Sequence, residues 1–262
     1  MIGIDELAYQ SRLRQWPPLG KFLIAVSLLI VALTTDSFIV PLITMGIGLG
    51  LLSYSTGLRF PRIISLVILN SLAIILIGCL VIAFLTRGGG EVASFDLLGL
   101  RLSIERDGLD LATLVMLRAL AGISVMLAFI TSTPVPHFAM ALRQLHVPKE
   151  ILELTVLTYR YSFLLLEQLE TMTVAASCRL GFRGLRTSIR TTSRVAVGLF
   201  SRSLDMAERS QVALNCRNYK GDFPVFRPPR RLTWPWVAGP VGLAALIYIG
   251  NILLETSWKL TW

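Results

Sequence analysis

Five arginines, Arg179, Arg183, Arg186, Arg190 and Arg194, recur at intervals of 4, 3, 4 and 4 residues. On a continuous helix that spacing sets all five on one stripe, a surface suited to anionic lipid headgroups. Gly181 and Gly184 fall inside the run and argue against one unbroken helix there. Other candidate chemistry is sparse. His137 and His146 stand nine residues apart, with no cysteine or carboxylate cluster beside them, so structural roles are expected rather than a metal site. Cys79, Cys178 and Cys216 contain no CxxC pair, which leaves neither a disulfide framework nor a zinc spacing. Cys178 and Cys216 read as packing residues. Glu167 and Glu170 share a helix face and are expected to pair with nearby arginines. No Gly-x-x-x-x-Gly-Lys-Ser/Thr run occurs, so any ATP-driven process needs an ATPase supplied in trans.

The elements that must position these residues are set by composition. The 262 residues are 54% hydrophobic and 16% charged, with mean hydropathy +0.67. A soluble domain carries about 25% charged residues, so the apolar excess points to an integral membrane protein. A spanning helix needs about 20 mainly apolar residues. Ile63–Leu85 and Leu109–Ile130 meet that plainly. Phe22–Leu33 and Phe38–Leu52 are shorter and read as a helical hairpin turning at Thr34-Thr35-Asp36-Ser37. Val237–Leu254, flanked by the interfacial indoles Trp234, Trp236 and Trp258, is the last of five expected spans. No cleavable signal peptide is expected, because Asp5, Glu6, Arg12 and Arg14 precede any apolar run.

Orientation follows from lysine and arginine placement. With the N-terminus inside, the inner segments hold Arg12, Arg14, Lys21, Arg59, Arg62 and fifteen basic residues of 133–232, whereas the outer ones hold only Arg87, Arg101, Arg106 and Lys259. The chain therefore reads as three regions: an N-terminal membrane region (1–132), a basic cytoplasmic domain (133–232) and a C-terminal spanning helix (233–262). The outer loop carries a short alternating stretch, Phe95 to Ile104, that reads as a small hairpin.

The basic domain holds 15 basic and 7 acidic residues and remains rich in leucine, so it is not a disordered tail. Pro134, Pro136 and Pro148 punctuate its start. Amphipathic helical sequence runs from about Lys149 to Arg179 and again from about Thr187 to Cys216. Asn218 tolerates the left-handed position after the second helix.

Two stretches here, Ala175-Ala176-Ser177-Cys178-Arg179-Leu180-Gly181 and Ala213-Leu214-Asn215-Cys216-Arg217-Asn218-Tyr219, each place an arginine at a helix end, 38 residues apart. They resemble the paired Ala-Arg-Gly signatures of the T components of energy-coupling-factor (ECF) transporters. Thr131-Ser132-Thr133-Pro134, Ala141-Leu142-Arg143-Gln144-Leu145-His146-Val147-Pro148 and Tyr159-Arg160-Tyr161 with Glu167 continue the likeness. Ile4-Asp5-Glu6-Leu7-Ala8-Tyr9, Ser11-Arg12-Leu13-Arg14 and Lys21 look like its cobalt-type subset.

The resemblance implies an all-α integral membrane protein of about five transmembrane helices with a cytoplasmic coupling domain of long, crossed amphipathic helices, in the inner membrane of a bacterium or archaeon. It implies a non-catalytic subunit of an importer, joining two cytoplasmic ABC ATPases to a substrate-binding membrane S component. Arg179 and Arg217 would be the ATPase-coupling residues. No cofactor would be bound by the chain itself, since its partners hydrolyse ATP, and cobalt would be the cargo, with nickel or a vitamin as alternatives. Cys178 and Leu180, and Cys216 and Asn218, depart from the signature. Leu180 cannot take a glycine's backbone role cheaply, so Gly181 is expected to supply the first cap one position later.

Arg118 falls inside a span, where charge is costly and faces protein or water. Asn70 or an S component is the expected partner. An enzyme acting on lipid headgroups would need a nucleophile or metal cluster at the interface, and none is found. A nucleic-acid adaptor fits leucine-rich amphipathic helices less well than a protein groove does.

Overall fold

The computed structural model describes residues 8–9, 11–35, 37–57, 62–86, 88, 91–97, 100–145, 147–219 and 235–259. The expected features Ile4–Leu7, Asp36, Arg59, Arg87, His146, the 220–234 connection and Trp234 lie outside them. Among the described residues a 3-10 turn, Arg12–Gln15, precedes eight α-helices and one β-hairpin. The order is α1 (Pro18–Thr34), α2 (Ile39–Thr56), α3 (Arg62–Leu85), β1 (Glu91–Leu97), β2 (Leu100–Glu105), α4 (Arg106–Ser132), α5 (Val135–Gln144), α6 (Lys149–Cys178), α7 (Leu185–Cys216) and α8 (Pro235–Lys259). The chain divides into two compact units, Met1–Ala141 with Arg227–Trp262, and Leu142–Phe226.

The first unit is the membrane bundle. The five expected spans lie on α1, α2, α3, α4 and α8, with Phe38 alone just outside α2 as its N-cap. Ile39–Thr56, Ile64–Leu85 and Arg106–Ser132 are long and apolar enough to cross, while Pro18–Thr34 and Ala238–Asn251 are shorter apolar helices. Pro18 opens α1 at a position whose N–H would be unused, and Gly57, at φ 62°, closes α2 in the left-handed conformation. Helix α4 is central and packs on α1, α2 and α3.

Small residues allow that packing, since lipid provides no hydrophobic drive between helices. Gly48 on α2 lies so close that an added Cβ would meet Ser124 Oγ at 2.5 Å and the Val125 backbone nitrogen at 2.9 Å. A Cβ added to Gly108 would likewise lie 2.9 Å from the Ala83 carbonyl oxygen near the end of α3. Leu28 and Val125, Leu52 and Ile64, and Cys79 and Ala112 mark three buried clusters along the bundle. On α3, Leu66, Leu69, Ile74, Ile77 and Leu85 are each more than 60% exposed, as a lipid-facing helix requires. The Phe95–Ile104 stretch does form a hairpin, pairing Phe95 with Leu102 and Asp96 with Arg101 in an antiparallel register.

The first unit reaches past residue 132 to Ala141. Phe138 of α5 explains this, packing against Phe22 at 5.7 Å and Phe129 at 5.9 Å between ring centroids. Trp236 is not simply an interfacial indole: it stacks edge-on against Trp16 at 4.8 Å.

The second unit centres on an antiparallel pair, α6 and α7. The two touch at successive levels: Met172 against Gly198, Gln168 with Arg202, Tyr161 with Ser210, and Tyr219 Oη donating to Glu153 Oε2 at 2.7 Å. Apart from Leu152, no described residue of either helix is fully buried. Such a pair on its own leaves amphipathic faces open for a partner.

Candidate functional site

Helices α6 and α7 end in the same way. After Cys178 the Leu180 N–H bonds the Ser177 carbonyl at 2.9 Å, and the Gly181 N–H bonds the Ala176 carbonyl at 2.9 Å. After Cys216 the Asn218 N–H bonds Asn215 O at 3.0 Å, and the Tyr219 N–H bonds Leu214 O at 3.1 Å. Both are Schellman caps, which satisfy carbonyls that the last turn leaves without partners. The cap residues are Arg179 (φ −91°, ψ 16°) and Arg217 (φ −90°, ψ 13°). Each arginine thus occupies the same position of the same backbone motif.

Asn218 takes the left-handed conformation expected of it, at φ 53°. The first cap corrects the sequence reading. Leu180 itself adopts φ 57°, so Gly181 is not the left-handed residue. A leucine there costs roughly 1–2 kcal/mol. Gly181 is needed for space: a Cβ on it would lie 2.9 Å from both the Ala176 carbonyl oxygen and Thr191 Cγ2. Its own carbonyl accepts from Thr191 Oγ1 at 2.8 Å, which ties the turn to the first turns of α7. Leu180 is held in a strained conformation because both neighbours are fixed. The signal for it was its alignment with Asn218, 38 residues on.

Arg179 and Arg217 are exposed, and neither side chain has a hydrogen-bond or ion-pair partner among the described residues. Because the helices are antiparallel, their C-terminal ends point in opposite directions. Helix α7 has 32 residues, and at 1.5 Å per residue that sets the two arginines on the order of 48 Å apart. Each guanidinium stands at the negative end of a helix dipole, with five donors in a planar fork able to bind a carboxylate bidentately.

The other sequence candidates fall elsewhere. Arg186, Arg190 and Arg194 share α7, but Arg179 and Arg183 sit in the turn, so the five-arginine stripe is interrupted. Cys178 and Cys216 are exposed rather than packed, because each lies at the open end of a helix. Glu167 and Glu170 are exposed and make no ion pair among the described residues; Gln168 between them takes Arg202 instead.

In the first unit, Arg118 does find a polar contact within the bundle, but not at Asn70, which is exposed on α3. Its Nη2 donates to the Thr35 carbonyl at 2.7 Å, at the C-terminal end of α1, where the helix leaves carbonyls free. His137 lies on α5 with a buried Nδ1 that has no partner among the described residues. Burial first, then the positive charges of Lys21 and Arg14, hold its pKa below the ordinary 6.5. Among the described residues no group of three His, Cys, Asp or Glu is placed to hold a metal.

Comparison with known proteins gives matches over most of the chain. The family model described as CbiQ, cobalt transport protein, matches residues 10–225. The cobalt transport protein CbiQ of Rhodobacter capsulatus is 32% identical over 262 residues, covering 96% of this chain and 98% of that one. CbiQ of Salmonella typhimurium is 28% identical over 233 residues, covering 85% and 99%. A putative fused cobalt transport protein, CbiMQ, of Methanocorpusculum labreanum is 26% identical over 219 residues, covering 83% of this chain and 36% of the longer one.

Proposed function

This chain belongs to the CbiQ family of cobalt transport proteins, and on that premise we propose that it is the transmembrane coupling subunit of an ATP-driven cobalt importer. The second unit is its cytoplasmic coupling domain, with the N-terminus on the same side. Two ABC ATPase subunits dock there, one on Arg179 and one on Arg217. A separate membrane subunit binds the substrate. The chain itself is not catalytic and carries no nucleotide.

The observation that carries this reading is the repeated cap. An antiparallel helix pair has an approximate dyad across its middle, and that dyad exchanges one C-terminal end for the other. Two identical caps at opposite ends of the pair therefore suit a partner that is itself two-fold, such as an ATPase dimer. The arginines are exposed and unpartnered among the described residues, so an acidic groove can take them without breaking any bond described there. A hairpin held at several levels moves as one rigid body when the ATPases at its two ends shift. The relative named as a fused cobalt transport protein supports a further transport component in the same assembly.

The test is copurification and ATP-dependent cobalt uptake. Wild-type chain retains a soluble ATPase and a second membrane protein. The Arg179→Glu, Arg217→Glu double variant inserts normally but loses the ATPase and the uptake. Normal assembly and uptake by the double variant would refute the reading.

A further inference from the structure

Helix α4 ends in a sequence that cannot complete its own hydrogen bonds. The carbonyls of Ile130 and Ser132 would be served by the N–H groups of residues 134 and 136 if the helix continued, but both positions are proline. Side chains from other elements bond carbonyls at this end, one of them in that gap. Lys21, in the first turn of α1, donates from Nζ to the Ser132 carbonyl at 2.7 Å. Ser55, in the last turn of α2, donates from Oγ to the Thr131 carbonyl at 3.2 Å. Ser55 is in turn 2.9 Å from Ser11 Oγ, and Ser11 accepts from the Leu13 N–H at 3.2 Å. The 3-10 turn, α1 and α2 thus converge on two consecutive carbonyls of α4.

The burial of this cluster is notable in its chemistry. Ser11, Lys21, Ser55, Thr131 and Ser132 are all at most 6% exposed. Lys21 has no carboxylate partner among the described residues, and a buried cation without one is expensive. A neutral donor could reach a carbonyl at less cost. What the ammonium adds is charge against the negative end of the α4 dipole, hence a stronger bond at that one point. The point matters because Ser132 is the last residue of α4, and the chain enters the second unit ten residues later, at Leu142.

We propose that Lys21, supported by Ser55, is a positioning residue that fixes how the chain leaves the membrane bundle, so that displacement of the coupling domain moves the spans instead of bending the joint. This rests on the coupling role proposed above. Loss of the anchor loosens the end of α4 and, through Thr133-Pro134, the hold on α5 that follows it, and ATP is then hydrolysed without matching transport.

The experiment uses the full complex in proteoliposomes, with cobalt uptake and ATP hydrolysis measured together. Lys21→Met is expected to keep the ATPases attached and their hydrolysis near wild type. Uptake per ATP is expected to fall by about tenfold, within the usual range of coupling effects. Lys21→Arg, which keeps the charge and donors, is expected to recover most of it. In a background free of native cysteines, spin labels at Tyr54→Cys and Arg143→Cys should report a broader distance distribution in Lys21→Met than with Lys21 present. Ser55→Ala, which removes a single hydroxyl, is expected to shift both readouts the same way by less, and takes the place of Lys21→Met if that variant fails to insert. An unchanged ratio of uptake to hydrolysis overturns the proposal whatever the distances do. Absence of ATP-driven uptake by the wild-type complex would instead refute the coupling role, while the distance measurement still reports whether Lys21 positions the joint.

Discussion

Charge reversal at the two caps allows a quantitative test, because their separation decides how the effects combine. Arg179 and Arg217 are exposed and unpartnered among the described residues. Their substitution therefore removes little of the chain's own stability beyond the helix-dipole term of about 0.3–1 kcal/mol each. Against an ATPase groove, a charge-assisted bond that is lost and replaced by repulsion costs about 2–4 kcal/mol, the range of interface hot spots. Each single variant, Arg179→Glu or Arg217→Glu, is expected to weaken ATPase binding by roughly 30-fold, about 2 kcal/mol at the lower end of that range.

The two positions are separated by the length of the 32-residue α7, on the order of 48 Å. That is far beyond the Debye length of about 8 Å and the roughly 10 Å over which substitutions couple. The losses should then add in free energy, and the double variant should bind roughly 1,000-fold more weakly. Titration of the detergent-solubilised chain with the purified ATPase dimer, at two ionic strengths, measures this. Arg179→Gln and Arg217→Gln separate loss of the bond from added repulsion. A double variant no weaker than either single, or two singles without effect, would refute the two-ended docking.

Three further outcomes follow from particular contacts. Gly181→Ala pushes a methyl to 2.9 Å from the Ala176 carbonyl oxygen, and should destabilise the hairpin turn by about 1–3 kcal/mol in chemical unfolding; unchanged stability would mean that the turn is looser than described. Cys178 and Cys216 are exposed and Cys79 is buried, so a maleimide should label the first two in the folded chain and the third only after unfolding. ATPase binding should protect Cys178 and Cys216, and equal labelling in the complex would count against docking at the caps. The folded-state pKa of His137 is held below the ordinary 6.5, so the unfolded chain takes up the proton first as pH falls. Stability in detergent should therefore be insensitive to this group above about pH 7 and decline below about 6.5, by no more than ~1.4 kcal/mol per pH unit. His137→Gln should flatten that slope, and an unaltered slope would assign it to other groups.

The spans were legible because lipid admits few solutions. A run of about 20 apolar residues must be helical to satisfy its backbone, and Ile63–Leu85 and Leu109–Ile130 say as much without neighbours. The β-hairpin was legible from its alternation, and the breaks at Gly181 and Gly184 from loss of helical propensity. Contacts set by packing were not. Arg118 was expected to meet Asn70 or an S component, whereas its Nη2 donates to the Thr35 carbonyl. Which carbonyl a long side chain reaches depends on how α1 and α4 pack.

Taken alone, the sequence determined an all-α membrane protein, a basic helical segment and two arginine-bearing stretches 38 residues apart, because these follow from composition, period and spacing. The tertiary structure decided what those stretches are. Only the pairing of α6 with α7 puts the arginines at opposite ends of one antiparallel hairpin, and only the contacts of Thr191 and Ala176 with Gly181 force Leu180 into the left-handed cap. Both depend on residues brought together by packing, where one-dimensional spacing carries no information about distance.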